Sequence, residues 1–558
     1  MKLGGCAFAS GVACFVTASA VLAEPAAGPA RAQARTTPSI QATGAVHFGT
    51  VRGADVVLRP LGLDDFAAVA LQLGLDKDAG TLFPDKRERA AVLAFYGARD
   101  GRPVWIHDGR FTDQARRAMA RLQRADQDGL DPAEFAVPAL SPAPTPEALA
   151  AAELKLTGSV LAYARQAQGG RVNPRSLSPL ITVDPPRPEP LGVLEKVSTA
   201  QDPAAALDGY NPPHPGFQAL RRALAALRTA RVTEPPRIPD GRRIARGMRD
   251  PRVPMLKERL GVPPGPDPAY FDAALNEALR AFQRGHGLAA NGALTPGTLK
   301  ALNTRAQAVR AEDVLVNMER WRWLPRDLGQ RHVMVNIPEF LVRIVEGGAT
   351  VYEDRVIVGK PTNQTPIFSK AMQHVIVNPY WNVPTSIAVK EMLPRLAADP
   401  GYFARQGFEL VNARGRVVDP YSVDWRAVEA GRFRFRQPPG ERNALGRIKF
   451  MFPNQHDVYI HDTPTRSLFA NAIRAYSHGC IRVHEPFRFA DALLADQGID
   501  GARLKKLIGG PERTLMLKRH IPVHIVYFTA GVGKDGKVEA RPDIYGHDAR
   551  LKATLGLH

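Results

Sequence analysis

Cysteine is scarce in this sequence, with three residues among 558. Cys6 and Cys14 lie in the apolar amino-terminal stretch, so Cys480 would be the single thiol of a processed chain. A single thiol excludes an intramolecular disulfide. An unpaired cysteine in an oxidising compartment is either deeply buried or retained for its chemistry. Cys480 is therefore the first candidate for a functional residue.

A long hydrophobic run is also missing. Residues 1–23 combine Lys2, a short apolar stretch rich in Ala and Gly, and small residues before Glu24, which predicts a signal peptide cleaved near Glu24. A retained membrane anchor is the alternative, but this run is a poor transmembrane span. Lipid attachment at Cys14 is a further alternative, although the leucine usual in bacterial lipoprotein signals is missing before it. We therefore expect an exported protein.

Nucleotide- and nucleic-acid-binding signatures are lacking as well. The phosphate-binding pattern G-x-x-x-x-G-K-[S/T] does not occur, and no cofactor is predicted. The chain has 74 Lys and Arg against 55 Asp and Glu, a formal charge of +19. A positive field favours polyanions, and with no nucleic-acid motif beside it the expected partners are anionic wall polymers or stem-peptide carboxylates. An Arg-rich composition without a polyanionic partner is an equally good interpretation.

The chain is too long for one hydrophobic core, so several domains are expected. Low periodicity and high Ala and Pro content predict a disordered linker in 24–57. Helical spacing of apolar residues predicts helices at 111–122 and 217–227. Period-two alternation predicts strands at 332–337, 340–345, 351–358 and 458–460. The expected organisation is a helical domain (58–240), a three-helix unit (241–305), a connecting helix (306–328), a strand-rich domain (329–535) and a tail (536–558).

The densest chemistry lies in two segments, YIHDTP at 459–464 and SHGCIRV at 477–483. A cysteine needs a base or a cation nearby to react as a thiolate, because its free pKa is about 8.5. His461 or His478 could serve as that base. Gly479 permits a tight turn, so the amides of His478, Gly479 and Cys480 could form an oxyanion hole.

A zinc site is the structural alternative at this point. His478, Cys480 and His484 are potential ligands, but their spacing matches neither C-x-x-C nor H-E-x-x-H. We therefore predict no metal. Arg482 adds positive potential, which could lower the thiol pKa or hold a substrate carboxylate.

Two resemblances become specific at these residues. The segment AFQRGHGLAANGALTPGTLKAL resembles the small peptidoglycan-binding domain of cell-wall enzymes, with a helical spacer that binds nothing as the alternative. HDTPTRSLFANAIRAYSHGCIRV resembles the active-site signature of L,D-transpeptidases. Further segments, among them VNPYWNVPTSIAVKEMLP, resemble the larger periplasmic members of that family. The likeness covers about residues 85–550.

The L,D-transpeptidase resemblance implies a multidomain α+β protein. Its catalytic domain (329–535) would be a mixed β-sandwich with a helical capping insertion at 387–431. An all-α scaffold and the three-helix peptidoglycan-binding domain would precede it. The implied site has Cys480 as nucleophile and His461 as base, with its tautomer held by an oxygen around Asp462. The other implied residues line the oxyanion hole, the pocket or the substrate walls: Ser477, His478, Gly479, Arg482, Tyr380 and Trp381.

The chemistry implied by the resemblance is the formation of 3-to-3 peptidoglycan crosslinks through a Cys480 acyl-thioester, with release of D-Ala from a tetrapeptide stem. Peptidoglycan stems and glycan are the implied partners, carbapenems the implied covalent inhibitors, and penicillin-binding proteins or glycosyltransferases the protein partners to consider. Two alternatives remain open: an L,D-carboxypeptidase or other stem-trimming cysteine peptidase, and a wall-binding scaffold without catalysis.

Overall fold

The computed structural model describes residues 47–48, 59–229, 236–285, 288–303, 310–399, 401–425 and 432–557. The chain divides into two units, residues 1–61 and 62–558. In the first unit, strands β1 (His47–Phe48) and β2 (Arg59–Pro60) pair antiparallel. The expected signal peptide and the remainder of the expected linker lie outside the described residues.

The amino-terminal part of the second unit is helical. Thr112 accepts a hydrogen bond from the amide of Ala115 and begins the helix expected at 111–122, which is confirmed but starts two residues later than the pattern. The helices pack around a core that includes Leu71, Phe95 and Leu161. The elements are α1 (Leu63–Leu82), α2 (Lys86–Gly97), β3 (Ile106–His107), β4 (Arg110–Phe111), α3 (Asp113–Leu122), α4 (Pro146–Gly169), α5 (Pro174–Leu177), α6 (Pro190–Thr199), α7 (Pro203–Asp208) and α8 (Pro215–Thr229).

Three short helices form a second, smaller core. They are α9 (Val253–Arg259), α10 (Ala273–Gly285) and α11 (Pro296–Asn303). The apolar faces expected from their spacing are buried, with Leu256 and Leu279 fully inaccessible to solvent. The Thr295 hydroxyl accepts from the Thr298 amide and begins α11, as a capping residue does. Helix α12 (Ala311–Arg322) follows. In the described part of the chain, no helix has the length and apolar character that crossing a membrane requires.

The strand-rich region begins with β5 (Arg331–Asn336), β6 (Leu341–Glu346), β7 (Ala349–Gly359) and β8 (Phe368–Val377). Strands β5, β6 and β7 confirm the period-two predictions at 332–337, 340–345 and 351–358. Strand β8 was not predicted, and the strand expected at 458–460 is only two residues long, at Ile460–His461. Gly347 and Gly348 join β6 to β7 with φ angles of 58° and 84°, the left-handed conformation that a two-residue hairpin turn needs.

A small α+β body interrupts the strand-rich region. Its sheet, in the order β11-β10-β12-β9, consists of β9 (Trp381–Asn382), β10 (Glu409–Val411), β11 (Val417–Val418) and β12 (Arg434–Gln437). Its helices are α13 (Thr385–Ile387), a π-helical turn at Ala388–Met392, α14 (Leu393–Ala398) and α15 (Tyr402–Gln406). Leu396, Phe403 and Phe435 form its own core. The insertion expected as helical therefore also contains a sheet, which period counting missed because its strands are only two to four residues long.

Five further strands complete the catalytic sheet: β13 (Ile448–Met451), β14 (Ile460–His461), β15 (Ala475–Ser477), β16 (Ile481–Val483) and β17 (Arg513–Val526). The order is β15-β7-β16-β14-β13-β8-β17-β5-β6, and β6 also pairs with β7. The expected mixed sheet is confirmed, and because of the β6–β7 pairing it closes on itself. Strands β14 and β16 are parallel neighbours, which places the two signature segments side by side.

The carboxy-terminal residues complete the catalytic core. After α16 (Pro486–Leu494) and α17 (Gly501–Leu507) come β18 (Ala530–Val532), β19 (Val538–Ala540) and α18 (His547–Leu555). Tyr545 and Leu551 are buried in the same core as the catalytic strands. Residues 536–557 are thus part of the folded body and not a tail. The glycine spacing G-x-G-x-x-G at 531–536 joins two strands of a hairpin, whereas a dinucleotide site needs a strand followed by a helix.

Candidate active site

One face of the catalytic sheet carries the reactive side chains and the other carries the core. In register across β16, β14 and β13, Ile481, Ile460 and Phe450 are neighbours and are fully buried. Side chains alternate along a strand, so the next residues point to the opposite face. There Arg482 lies beside His461, and His461 beside Lys449. If the parallel register continues by one more pair, Cys480 lies beside Tyr459. Each is two residues before Arg482 and His461 respectively, and therefore on the same face.

The reactive face forms the floor of a cavity of about 830 Å³ whose roof is the capping insertion. Six of the predicted site residues line it: Cys480, His461, Ser477, His478, Arg482 and Trp381. Ile387, Glu391 and Tyr402 of the insertion face them from above. A volume of this size is typical of a small-ligand site.

Cys480 is partly exposed along this cavity. Its Sγ lies 3.9 Å from the carbonyl oxygen of Asp457, to which the thiol can donate. Burial raises the pKa of the Cys480 thiol to about 11, and hydrogen bonds from Tyr459 together with the charge of Arg482 lower it by less. The thiol is therefore protonated at neutral pH in the unliganded site.

His461 is 3% exposed, and its Nδ1 lies 2.5 Å from the backbone carbonyl oxygen of Asp462. A carbonyl only accepts hydrogen bonds, so this contact places the proton on Nδ1 and leaves Nε2 unprotonated. Burial lowers the pKa of His461 to about 3, and the charge of Arg482 adds to this effect. The carbonyls of Asp462 and Leu445 favour the protonated ring and offset only part of the shift.

The resting pair is consequently a neutral thiol and a neutral imidazole. The sequence interpretation assumed a thiolate made by a nearby base or cation, but desolvation opposes charge on both groups. A neutral imidazole with a free Nε2 is the form that acts as general base.

The loop before Cys480 is fixed by its own serine. Ser477 Oγ donates to the Cys480 carbonyl oxygen at 2.5 Å and accepts from the Gly479 amide at 3.1 Å. Gly479 has φ 117°, a conformation that favours glycine. The Gly479 amide is therefore already engaged. Among the described residues, the amides of His478 and Cys480 donate to no protein group.

Three of the predicted residues lie outside the cavity lining: Gly479, Asp462 and Tyr380. The Asp462 carboxylate accepts from the amides of Arg447 and Thr463 and pairs with Arg466, so it fixes the turn that follows β14. Only the Asp462 backbone carbonyl reaches His461. The Arg436 guanidinium lies over the Tyr380 ring, with its Cζ atom 4.8 Å from the ring centroid. The next residue, Trp381, lines the cavity.

Arg482 brings unpaired positive charge to the site. In the described part of the chain no carboxylate forms a salt bridge with it, and its buried Nε has no hydrogen-bond partner. Burial lowers the pKa of Arg482 from its ordinary value. A partly buried guanidinium without a salt-bridge partner, at a cavity, is a ready partner for a carboxylate ligand.

The capping insertion contacts the loop before Cys480 directly. Glu391, in the π-helical turn, accepts from His478 Nε2 at 2.6 Å, and the Lys360 ammonium lies 3.4 Å from the same nitrogen. The bond to His478 is the main cause that lowers the pKa of the Glu391 carboxyl. His478 therefore joins the loop to its roof.

The sequence interpretation gave no role to Tyr459, Lys449 or Glu391. Tyr459 is two residues before His461, so strand alternation alone could have placed it on the reactive face. Its pKa is raised by burial and by the neighbouring Cys480. The Lys449 ammonium lies 5.5 Å from the Tyr459 ring centroid, and strand pairing alone brings Lys449 next to His461. Glu391 reaches the site only because the insertion folds over it. Neither leaves a signal in the sequence.

The residues considered as zinc ligands do not converge. His484 packs its ring against Phe469 at 4.9 Å and contacts Arg355. Within the described ranges, the cluster of three potential ligands is Asp64, His107 and Asp108, on the surface of the helical region.

Family models match three parts of the chain. Residues 330–503 match the L,D-transpeptidase catalytic domain, residues 256–302 the "Putative peptidoglycan binding domain", and residues 90–224 a scaffold domain. The chain thus contains an L,D-transpeptidase catalytic domain together with a peptidoglycan-binding domain and a scaffold domain.

A curated "Putative L,D-transpeptidase" of Haemophilus influenzae is 34% identical over 242 residues, which are 43% of this chain and 49% of that protein. The chain therefore matches about half the length of this relative. Among solved structures, an L,D-transpeptidase of Xylanimonas cellulosilytica shares 15% identity over 51% of this chain and 98% of its own, with a TM-score of 0.16. An L,D-transpeptidase of Mycobacterium smegmatis shares 12% sequence identity over 35% of this chain and 58% of its own, with a TM-score of 0.17. At these values neither structure bears on the activity of this chain.

Proposed function

We propose that the protein is an L,D-transpeptidase that forms 3-to-3 crosslinks between peptidoglycan stems through an acyl-thioester on Cys480. The observation that carries the proposal is the pairing of β14 with β16, which places His461, with a free Nε2, and Cys480 on the floor of one cavity. The family match of residues 330–503 supports the same chemistry.

The first half-reaction is acylation. His461 Nε2 takes the thiol proton as Cys480 Sγ attacks the carbonyl carbon between the third residue of the stem and its terminal D-Ala. The amides of His478 and Cys480 stabilise the oxyanion. The intermediate collapses with cleavage of the C–N bond, the proton passes from His461 to the leaving amine, and D-Ala departs.

The second half-reaction transfers the acyl group. The side-chain amine of a neighbouring stem attacks the thioester and gives its proton to His461. The tetrahedral intermediate collapses with cleavage of the C–S bond, and the departing sulfur regains that proton from His461. The thioester retains the energy of the broken amide, so no nucleotide is consumed.

Substrate recognition follows from the cavity walls. Arg482, which has no protein counter-ion among the described residues, would hold a carboxylate of the donor stem, and Trp381 would pack against its apolar part. Tyr380, engaged with Arg436, would support Trp381 from behind. Export through a cleaved signal peptide and wall binding by the three-helix domain would bring the site to peptidoglycan in the periplasm.

Mass spectrometry of disaccharide-tetrapeptide incubated with the full chain tests the proposal. A 3-to-3 dimer lacking one D-Ala is expected, with Cys480→Ala as the inactive control. Tripeptide monomer alone would identify an L,D-carboxypeptidase and overturn the transferase. Unchanged tetrapeptide with the wild type would leave the wall-binding scaffold as the function.

Covalent inhibition offers an independent test of the nucleophile. A strained lactam is attacked by the same thiol and stabilised by the same amides. The intact mass of the wild type should rise by one carbapenem, and that of Cys480→Ala should not. A folded wild type that stays unmodified would contradict the assignment of Cys480.

A further inference from the structure

A buried hydroxyl group contacts the loop that precedes Cys480. Thr365 is 1% exposed, and its Oγ1 donates to the carbonyl oxygen of Gly479 at 2.8 Å. That carbonyl belongs to the same peptide unit as the amide of Cys480. Because a peptide unit is planar, a bond that holds its oxygen on one side also aims its N–H to the other. Thr365 therefore governs the direction of an amide that donates to no protein group.

The Thr365 hydroxyl is itself held in place. It accepts from the amide of Gly359 at 2.8 Å, so its own proton is directed to Gly479. Gly359 cannot carry a side chain here, because an added Cβ would lie 2.1 Å from the Asn363 carbonyl oxygen. This close approach brings the end of β7 against the segment that carries Thr365.

A tyrosine from the carboxy-terminal segment closes the network. The Tyr545 hydroxyl donates to the carbonyl oxygen of Gly359 at 2.6 Å and accepts from the amide of Thr365 at 3.2 Å. Tyr545 is 5% exposed, and its own amide donates to Tyr527 at 2.8 Å. A buried chain of hydrogen bonds therefore runs from Tyr545 through Thr365 to Gly479.

We propose that Thr365, supported by Tyr545, is a positioning residue that aims and polarises the Cys480 amide as an oxyanion-hole donor. The proposal rests on the proposed function, because an oxyanion forms only if Cys480 attacks a carbonyl group. A hydrogen bond to a peptide oxygen makes the N–H of the same unit a stronger donor, since bonds in a chain polarise one another. Thr365 is not among the residues that line the cavity, and it acts through the Gly479–Cys480 peptide unit.

Two reactions of the same thiol separate this role from a structural one. Acylation by a carbapenem passes through an oxyanion, whereas alkylation by iodoacetamide displaces iodide and forms none. Removing one oxyanion donor costs about 100- to 1,000-fold in rate, and misdirecting it should cost less. We expect Thr365→Val to acylate roughly 10- to 100-fold more slowly than the wild type, with alkylation unchanged within about twofold.

Matched variants control the experiment. Thr365→Ser keeps the hydroxyl and should restore acylation to within a few fold of the wild type. Tyr545→Phe removes only the hydroxyl that supports Thr365, so acylation should slow less than in Thr365→Val, again with alkylation unchanged. If circular dichroism shows that Thr365→Val does not fold, Tyr545→Phe carries the test. Equal acylation of wild type and variant, or a parallel loss of acylation and alkylation, would overturn the proposal. A wild type that alkylates but never acylates would instead defeat the proposed function itself.

Discussion

The described part of the chain contains buried histidines both at the cavity and away from it. His461 is on the cavity floor, whereas His214, His332 and His524, here called the histidine cluster, lie where the helical region meets the catalytic sheet. All four are at most 5% exposed, and burial lowers the pKa of each.

His461 and His524 differ in what surrounds their ring nitrogens. In the cluster, Ser369 Oγ and the Leu328 carbonyl occupy both nitrogens of His524, at 2.8 and 3.0 Å. His461 has its Nδ1 bound to the Asp462 carbonyl, and its ring lines a cavity. A depressed pKa thus measures burial, and a free nitrogen at a cavity distinguishes a candidate base from a packed histidine.

The largest effect is expected from His461→Gln. Glutamine retains polar contacts but cannot take the thiol proton, so acylation by a carbapenem should slow by about a hundredfold or more. Stopped-flow absorbance measures the rate, and His524→Gln is the matched control, which should acylate like the wild type. If instead His524→Gln loses acylation and His461→Gln keeps it, the comparison has been drawn the wrong way round.

The second largest effect is expected in the pH dependence of two Cys480 reactions, alkylation by iodoacetamide and acylation by a carbapenem. With pKa values of about 11 for Cys480 and about 3 for His461, both groups stay neutral across the physiological range. Alkylation needs free thiolate, so its rate should rise roughly tenfold per pH unit from about pH 6 to 9. General-base acylation should stay flat over that range. An alkylation rate that is already high and constant near pH 6 would reveal a preformed thiolate.

The histidine cluster should make stability depend on pH. Burial lowers the pKa of His214 and of His524 to about 4, below the unfolded value of about 6.5. As pH falls below about 6.5, the unfolded chain binds protons that the folded cluster rejects, so the free energy of unfolding decreases. The slope is at most about 1.4 kcal/mol per pH unit for each histidine.

His524→Gln removes one of these titrations and should flatten the loss of Tm between about pH 6 and 4. Carboxyl groups titrate in both proteins, so the difference between the two curves isolates the histidine. Parallel curves would indicate that His524 is already protonated in the folded protein.

The smallest effect is expected from His478→Gln. His478 and its partner Glu391 are 30% and 37% exposed, and ion pairs of this kind contribute little. Glutamine can still donate to Glu391, so acylation should fall only a few fold, through KM more than kcat. Comparing His478→Gln with His461→Gln separates the two candidate bases, and a larger loss for His478→Gln would make His478 the base.

Most of the candidate site could be recognised from the sequence alone, because its reactive residues are close together along the chain. Cys480 follows His461 by 19 residues in the chain, a spacing that local sequence motifs preserve. Period-two patterns located β5 to β7, and the Gly347–Gly348 turn located their hairpin. Such features depend on neighbours along the chain, which a sequence displays directly.

Tertiary structure decided the features that depend on distant residues. Strand pairing placed Lys449 beside His461, and folding of the carboxy-terminal segment brought Tyr545 behind Thr365, which is 180 residues away. It also turned Tyr380 away from the cavity while Trp381 stayed in it.

The protonation states of the site belong to this second group. By itself the sequence identified which residues could react, because side-chain chemistry belongs to the residue. Only the fold decided that the thiol and the imidazole are both neutral and which ring nitrogen is free, because desolvation and hydrogen bonding depend on what surrounds each group.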